Sequence, residues 1–174
     1  MDDYILTPFT IAIDTREQHP LQFLNYKADA NQGYKPLIIR TQTMALKTGD
    51  YSLVGYESRI AIERKSLSDA YSTFGQDRER FERELERLAA MEFAAVVIEA
   101  DWGTILNHPP PHTKFTPKSV FRSITAWEIR YGVHFWPCPT RNFAERRVLR
   151  TLQRFWLDEQ EREKKREGAV CDAF

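Results

Sequence analysis

The chain is short of three things, and each shortage excludes something. Net charge is the first: 25 Lys and Arg stand against 25 Asp and Glu in 174 residues, for a formal charge of +0. A wholly basic DNA-binding module is thereby excluded, and bulk charge names no partner. Cysteine is the second. Cys138 and Cys171 are the only two, too few for the disulfide framework of a small secreted domain. Long apolar runs are the third: none approaches the roughly 20 residues that span a bilayer. The opening MDDYILTPFT also lacks the basic start and apolar stretch of a signal peptide. The expected location is therefore intracellular, in the cytoplasm or at the nucleoid, with no membrane partner.

What is present suffices for a core. Hydrophobic residues make up 42% and aromatics 13% of the chain, with a mean hydropathy of -0.54. At roughly 100 to 200 residues per domain, a single domain over 1–174 is expected. Its charge is uneven. Met1 to Thr113 carries 12 basic and 17 acidic residues, a net of -5. Lys114 to Arg154 carries nine basic and two acidic, a net of +7, and Phe155 to Phe174 four and six, a net of -2. The domain is thus read as an acidic part (1–113), a basic helical part (114–157) and a charged, partly disordered tail (158–174). An acidic stretch beside a basic one suits a metal site next to a polyanion track. The alternative is that Lys and Arg merely decorate the outer faces of two helices.

Local patterns give the elements. Phe9–Asp14 and Leu37–Thr41 read as strands, and Tyr51–Val54 with Arg59–Glu63 as a β-hairpin. From Ser68 to about Met91 the period becomes helical, with Phe81, Leu85, Leu88 and Ala89 on one stripe and Ser68 or Asp69 as the cap. Ala94–Ile98 suits a strand covered on both faces. The prolines of His108–His112 make a loop. Thr116-Pro117 starts a helix that Gly132 ends; Val133–Trp136 is a strand, and a last helix begins near Thr140. The order implies a three-layer α/β fold with a mixed central sheet.

The stretch Gly49 to Asp69 holds the chemistry. Glu63 and Lys65 are two apart on a strand and share a face, and the hairpin can set Asp50 beside Glu63. Two carboxylates can hold Mg2+ or Mn2+ through oxygen, while an ammonium orients or helps deprotonate an attacking water. A lone Glu-x-Lys is also what a solvated strand end shows. His108, His112 and Cys138 form no zinc set without a fourth ligand.

Gly49-Asp50 followed by Glu63, Arg64, Lys65 and Asp69, the pattern GD then ERKxxxD, resembles the nuclease domain of the XPF-type structure-specific endonucleases, which include the archaeal Hef nuclease. The upstream IDTRE, with Asp14, Arg16 and Glu17, is similar to that family's first acidic motif. Arg78 and the helix RFERELERL are similar to its downstream segment, so the resemblance runs from about Thr10 to Ala100. It implies a restriction-endonuclease-like three-layer α/β/α fold that cuts DNA at or near branches, flaps or forks with Mg2+ or Mn2+. Asp14, Asp50 and Glu63 would hold the metal, Lys65 would be the catalytic lysine, and Arg64 and Glu17 would complete the catalytic set. Arg16 would contact the scissile phosphate or pair with a carboxylate. Arg64 is otherwise a surface ion pair and Asp69 a helix cap. DNA contacts are expected from Arg16, Arg78, Lys114, Lys118, Arg122, Arg146, Arg147 and Arg150. The family's tandem helix-hairpin-helix module has no counterpart here, and pairing through the nuclease domain's own helices would give a homodimer. The other readings are a catalytically silent subunit that binds DNA or a partner, and a duplex nuclease or nickase with little structure preference.

Overall fold

The computed structural model describes residues 3–171, with side chains as far as residue 167. One sheet contains β1 (Ile5–Asp14), β2 (Tyr26–Lys27), β3 (Pro36–Met44), β4 (Tyr51–Leu53), β5 (Ile60–Lys65), β6 (Phe93–Ile98) and β7 (His134–Pro137). Its order is β2-β3-β1-β4-β5-β6-β7. β1 is parallel to β3, and β5, β6 and β7 are parallel to one another. β4 lies antiparallel between β1 and β5, so the sheet is mixed.

Alternation along β5 and β6 decides the layers. Ile60, Ile62 and Val97 join a core under α5 (Arg141–Cys171), with Ala144, Val148, Leu149 and Leu152 from the helix. Ala61, Ala94, Val96 and Ile98 point the other way. They meet α1 (Leu67–Gly75), α2 (Arg78–Ala89), α3 (Trp102–Asn107) and α4 (Pro117–Tyr131) in a second core around Phe74, Phe81 and the fully buried Trp127. Three layers result, as expected. By the same alternation, Glu63 and Lys65 follow Ala61 onto the α1–α2 side.

Several boundaries differ from the sequence reading. β1 begins four residues earlier and β3 ends three residues later, because their parallel pairing extends past the apolar runs. The helix expected over Ser68–Met91 is two helices, broken after Gly75, which lies against Phe115. Ser66, not Ser68 or Asp69, caps α1: its hydroxyl accepts the Asp69 N–H and donates to the Asp69 carboxylate. α3 was not foreseen, since six residues hold too few turns to show a period; Asp101 caps it by accepting the Thr104 N–H. Thr116 caps α4, and Gly132 ends it at φ 67, as read. α5 continues through the charged run to Cys171, and within it Glu159 is buried against Arg59 and Arg162. The tail reading otherwise falls on residues 172–174, which lie outside the described residues. Among the described residues, no helix is long and apolar enough to cross a membrane.

The turn into β4 passes close against β5. Gly49 has φ 74, and a Cβ there would stand 3.0 Å from the Ala61 Cβ and 3.3 Å from Ile62 N and O. Gly55 also has positive φ, at 89, but faces open space. In urea unfolding, Gly49→Ala should lose about 3 kcal/mol from strain plus overlap, against about 1 kcal/mol for Gly55→Ala. Equal losses would show that the contact with β5 does not matter.

Candidate active site

Because β4 runs against its neighbours, Asp50, the residue just before it, lies beside the ends of β1 and β5. The Asp14 N–H donates to the Asp50 carbonyl (2.9 Å), and the Asp50 N–H donates to the Ile62 carbonyl (2.9 Å). The Asp50 carboxylate then accepts the main-chain N–H of Arg64 at 2.7 Å. Asp50 and Glu63 are thereby brought together, and Lys65 Nζ lies 2.5 Å from the Glu63 carboxylate with the Phe81 ring behind it.

The chain turns over Asp14–Glu17, where the Glu17 N–H donates to the Asp14 carbonyl (3.1 Å). That turn carries Glu17 back to the sheet, where it takes the Arg64 Nε and Nη2 at 2.7 and 2.9 Å. Arg64 Nη1 also lies 3.2 Å from Glu99. The Arg64 pair is therefore buried rather than superficial.

These groups line a cavity of about 650 Å³ that includes Arg16, Glu17, Asp50, Glu63, Arg64 and Lys65. Asp14 is not among its lining residues. Its carboxylate is 1% exposed and is taken up by the Arg16 N–H, the Arg16 guanidinium and the Leu46 N–H. The expected third metal carboxylate thus acts here on Arg16, which it fixes while leaving that side chain 69% exposed at the rim. Arg78 is also elsewhere: it donates to Ser123, pairs with Glu82 and covers the Trp127 ring, tying α2 to α4. Cys138 is buried and donates to the Trp136 carbonyl, with its thiol pushed up to about 11 by burial.

The sequence reading missed Arg80, Glu84 and Arg87, which α2 presents to the cavity. A signal existed: 80, 84 and 87 repeat at i, i+4 and i+7, one position before the apolar stripe. Glu84 accepts from the Thr48 hydroxyl and from the Gly49 N–H, holding the turn that carries Asp50.

The basic segment is not one surface. Lys114, Lys118 and Arg122 are exposed on the α1–α4 side, which is the cavity's side, whereas Arg146, Arg147 and Arg150 are exposed on α5 across the sheet. Arg147 lies 4.0 Å over the Trp136 ring.

Burial, followed by the Glu63 charge, pushes Asp50 up to about 8, and burial likewise raises Glu63. Burial works against the charge of Lys65, but Glu63 outweighs it and the ammonium is raised above its usual value. Burial also opposes ionisation of Glu17, yet its hydrogen bonds from Arg64 and the His19 N–H leave it below the usual range. Two adjoining carboxylates, one buried and one half-buried, with one ammonium form an electron-rich set short of positive charge, and it fits a hard cation. Among the described residues no three His, Cys, Asp or Glu side chains form a ready cage. Mg2+ needs only one or two carboxylates, because it keeps several waters.

A family model described as the ERCC4 domain matches residues 13–146. The chain belongs to the ERCC4 domain family. This ERCC4 domain is similar in structure to XPF from Aeropyrum pernix, with a TM-score of 0.58 at 17% identity over 83% of this chain and 60% of that one. It also matches XPF from Aeropyrum pernix in complex with DNA, with a TM-score of 0.60 at 22% identity over 87% of this chain and 66% of that one. The likeness is one of fold, restriction-endonuclease-like α/β. The ERCC4 domain chain spans 60% of the first relative's length. Comparison with curated proteins gives no significant match.

The Asp50 shift fixes a pH dependence. Folded, Asp50 keeps its proton up to about 8; its ordinary value is 3.8. The folded state therefore binds more protons between these values, and stability without metal falls as pH rises through them. Asp50→Asn removes that penalty. At pH 8 it should melt about 3 °C or more above the parent, a gain on the order of 1 kcal/mol, and at pH 4 the difference should vanish. A variant less stable at pH 8 would contradict the charge assignment.

Proposed function

We propose that this ERCC4 domain is a metal-dependent DNA endonuclease acting at or near branched, flap or fork structures, with Mg2+ or Mn2+ held by Asp50 and Glu63. The observation that carries the reading is the pairing of half-buried Asp50 with buried Glu63 beside Lys65, in a cavity flanked by arginines. When bound, the ion supplies Lewis-acid polarisation of the phosphate and a water of lowered pKa. The protein's own groups do the remainder. Lys65 keeps its proton against Glu63, so it acts as a donor that orients water and a phosphate oxygen. Arg16, locked by Asp14 yet exposed, is placed to contact the scissile phosphate. Arg80 and Arg87 offer further positive charge along the same wall. Glu17 acts on Arg64, whose main chain holds Asp50.

The neighbour solved in complex with DNA supports a polyanionic substrate. Lys114, Lys118 and Arg122 lie on the cavity's side and are the favoured backbone contacts, with Arg146, Arg147 and Arg150 serving a strand that passes round to the other layer. Ile129, 82% exposed on α4, and Phe143, 51% exposed on α5, are apolar side chains that a second copy would cover in a homodimer.

Purified protein incubated with labelled flap, fork, duplex and single-stranded DNA should cut the branched forms with Mg2+ or Mn2+ and stop with a chelator. Glu63→Gln or Asp50→Ala should lower the rate about a thousandfold. Cleavage undiminished in both variants would remove the assignment, and binding without cleavage would favour a silent subunit. Lys114→Glu with Lys118→Glu should reduce the salt dependence of DNA affinity by about two counterions. Arg146→Glu with Arg150→Glu should change it less; the reverse ranking would move the DNA track to α5.

A further inference from the structure

The first two turns of α5 meet the segment that follows β1, across more than a hundred residues of sequence. Arg141 Nη1 donates to Glu99 at 2.6 Å, and its Nη2 donates to the carbonyls of His19 (2.6 Å) and Pro20 (3.0 Å). Four residues on, and so on the same helix face, Glu145 accepts the Gln22 N–H at 2.9 Å and the Tyr26 hydroxyl at 3.1 Å. Between these two grips Leu21 is buried, and its N–H donates to the Tyr51 hydroxyl at 2.8 Å. The guanidinium takes the carbonyls and the carboxylate takes the donors, so each matches what the segment offers.

The held segment does not rest in relaxed geometry. Phe23 has φ of 52°, a conformation that a bulky side chain keeps only where surrounding contacts impose it; Asn25, at 62°, tolerates that region, and the Glu145 bonds bracket both. Upstream, the segment starts at Glu17, whose carboxylate accepts the His19 N–H at 2.7 Å while gripping Arg64. Glu99 is shared between Arg141 and Arg64. Arg141, Glu99, Arg64 and Glu17 therefore form an alternating line of charge from α5 to the residue whose main chain holds Asp50.

We infer that Arg141 and Glu145 are positioning residues, a two-point clasp on α5 that sets the His19–Tyr26 segment and, through Glu17, Glu99 and Arg64, the geometry of the catalytic carboxylates. The inference rests on the nuclease reading for its kinetic consequence but not for its structural one. Arg141 directs both terminal nitrogens inward, so it serves the loop and Glu99 rather than a phosphate. Positioning groups of this kind typically alter affinity or activity by about 10- to 100-fold.

The test combines hydrogen exchange of the metal-free, DNA-free protein with steady-state cleavage for Arg141→Gln, Arg141→Lys and Glu145→Ala. In Arg141→Gln the amides of His19, Leu21 and Gln22 should exchange at least about tenfold faster, while exchange in β5 and β6 is unchanged. Its kcat should fall about 10- to 100-fold with KM for DNA within about twofold of the parent. Arg141→Lys should recover part of both, since an ammonium can reach the carbonyls but lacks the fork. Glu145→Ala should loosen residues 22–26 in the same way, and it decides the matter alone if the Arg141 variants do not fold. Unchanged exchange in the loop would overturn the clasp. So would a raised KM at constant kcat, which would make Arg141 a DNA contact. If the parent protein cuts no DNA, the nuclease reading fails and the exchange arm still decides the clasp.

Discussion

A guanidinium at the end of β5 is almost wholly withdrawn from water, and the site is arranged round that fact. Desolvating a charge costs several kcal/mol unless it is paired and hydrogen-bonded. Arg64 is paired in both respects, by Glu17 at two nitrogens and by Glu99 at the third. These partners explain the neighbouring structure. Glu17 reaches Arg64 only because the chain turns directly after β1, and Glu99 stands one residue past the end of β6, the strand parallel to β5. The main-chain N–H of the same arginine holds Asp50, so the ion pair and the carboxylate cannot move independently.

The sheet's direction changes make such a site possible. Parallel neighbours would carry the ends of β1 and β5 to one edge and leave the start of β4 at the other. Antiparallel placement of β4 brings Asp50 to those ends, and Gly49 allows the turn without a Cβ pressed into Ala61. The result is a buried and a half-buried carboxylate held side by side by backbone geometry. Burial and their proximity make Asp50 hold a proton in the metal-free chain, and a divalent cation would take that proton's place.

Much of this was legible in the sequence, in a pattern that follows the range of each interaction. Strand β6, the capped start of α4 and its Gly132 stop follow from local residues, and the structure has each where those residues put it. Gly49, Asp50, Glu63 and Lys65 form a local string whose strand period alone puts Glu63 and Lys65 on one face. What escaped depends on contacts distant in sequence. The break after Gly75 falls where the chain lies against Phe115, forty residues away. The motif marks Asp14 without showing that its carboxylate accepts from Arg16 and Leu46. Nor does the motif show that Arg78 packs on Trp127 and donates to Ser123 of α4. Arg141 left no local trace, since its partners lie at residues 19, 20 and 99.

The zero net charge shows the same limit of one-dimensional reading. Cutting the chain at residues 114 and 154 separates acidic from basic stretches, but folding then divides the basic stretch between two layers. Lys114, Lys118 and Arg122 share a side with the acidic cavity, and Arg146, Arg147 and Arg150 do not. The cavity moreover recruits basic residues from the acidic stretch, Arg16, Arg80 and Arg87. A polyanion at the cavity therefore meets positive charge drawn from both stretches. Such fields act within about 10 Å at moderate salt, so spatial neighbourhood and not segment charge decides what a phosphate experiences. Carboxylates at the centre with arginines on the walls give opposite potentials a few ångströms apart, which suits an assembly of cation and phosphate better than either alone.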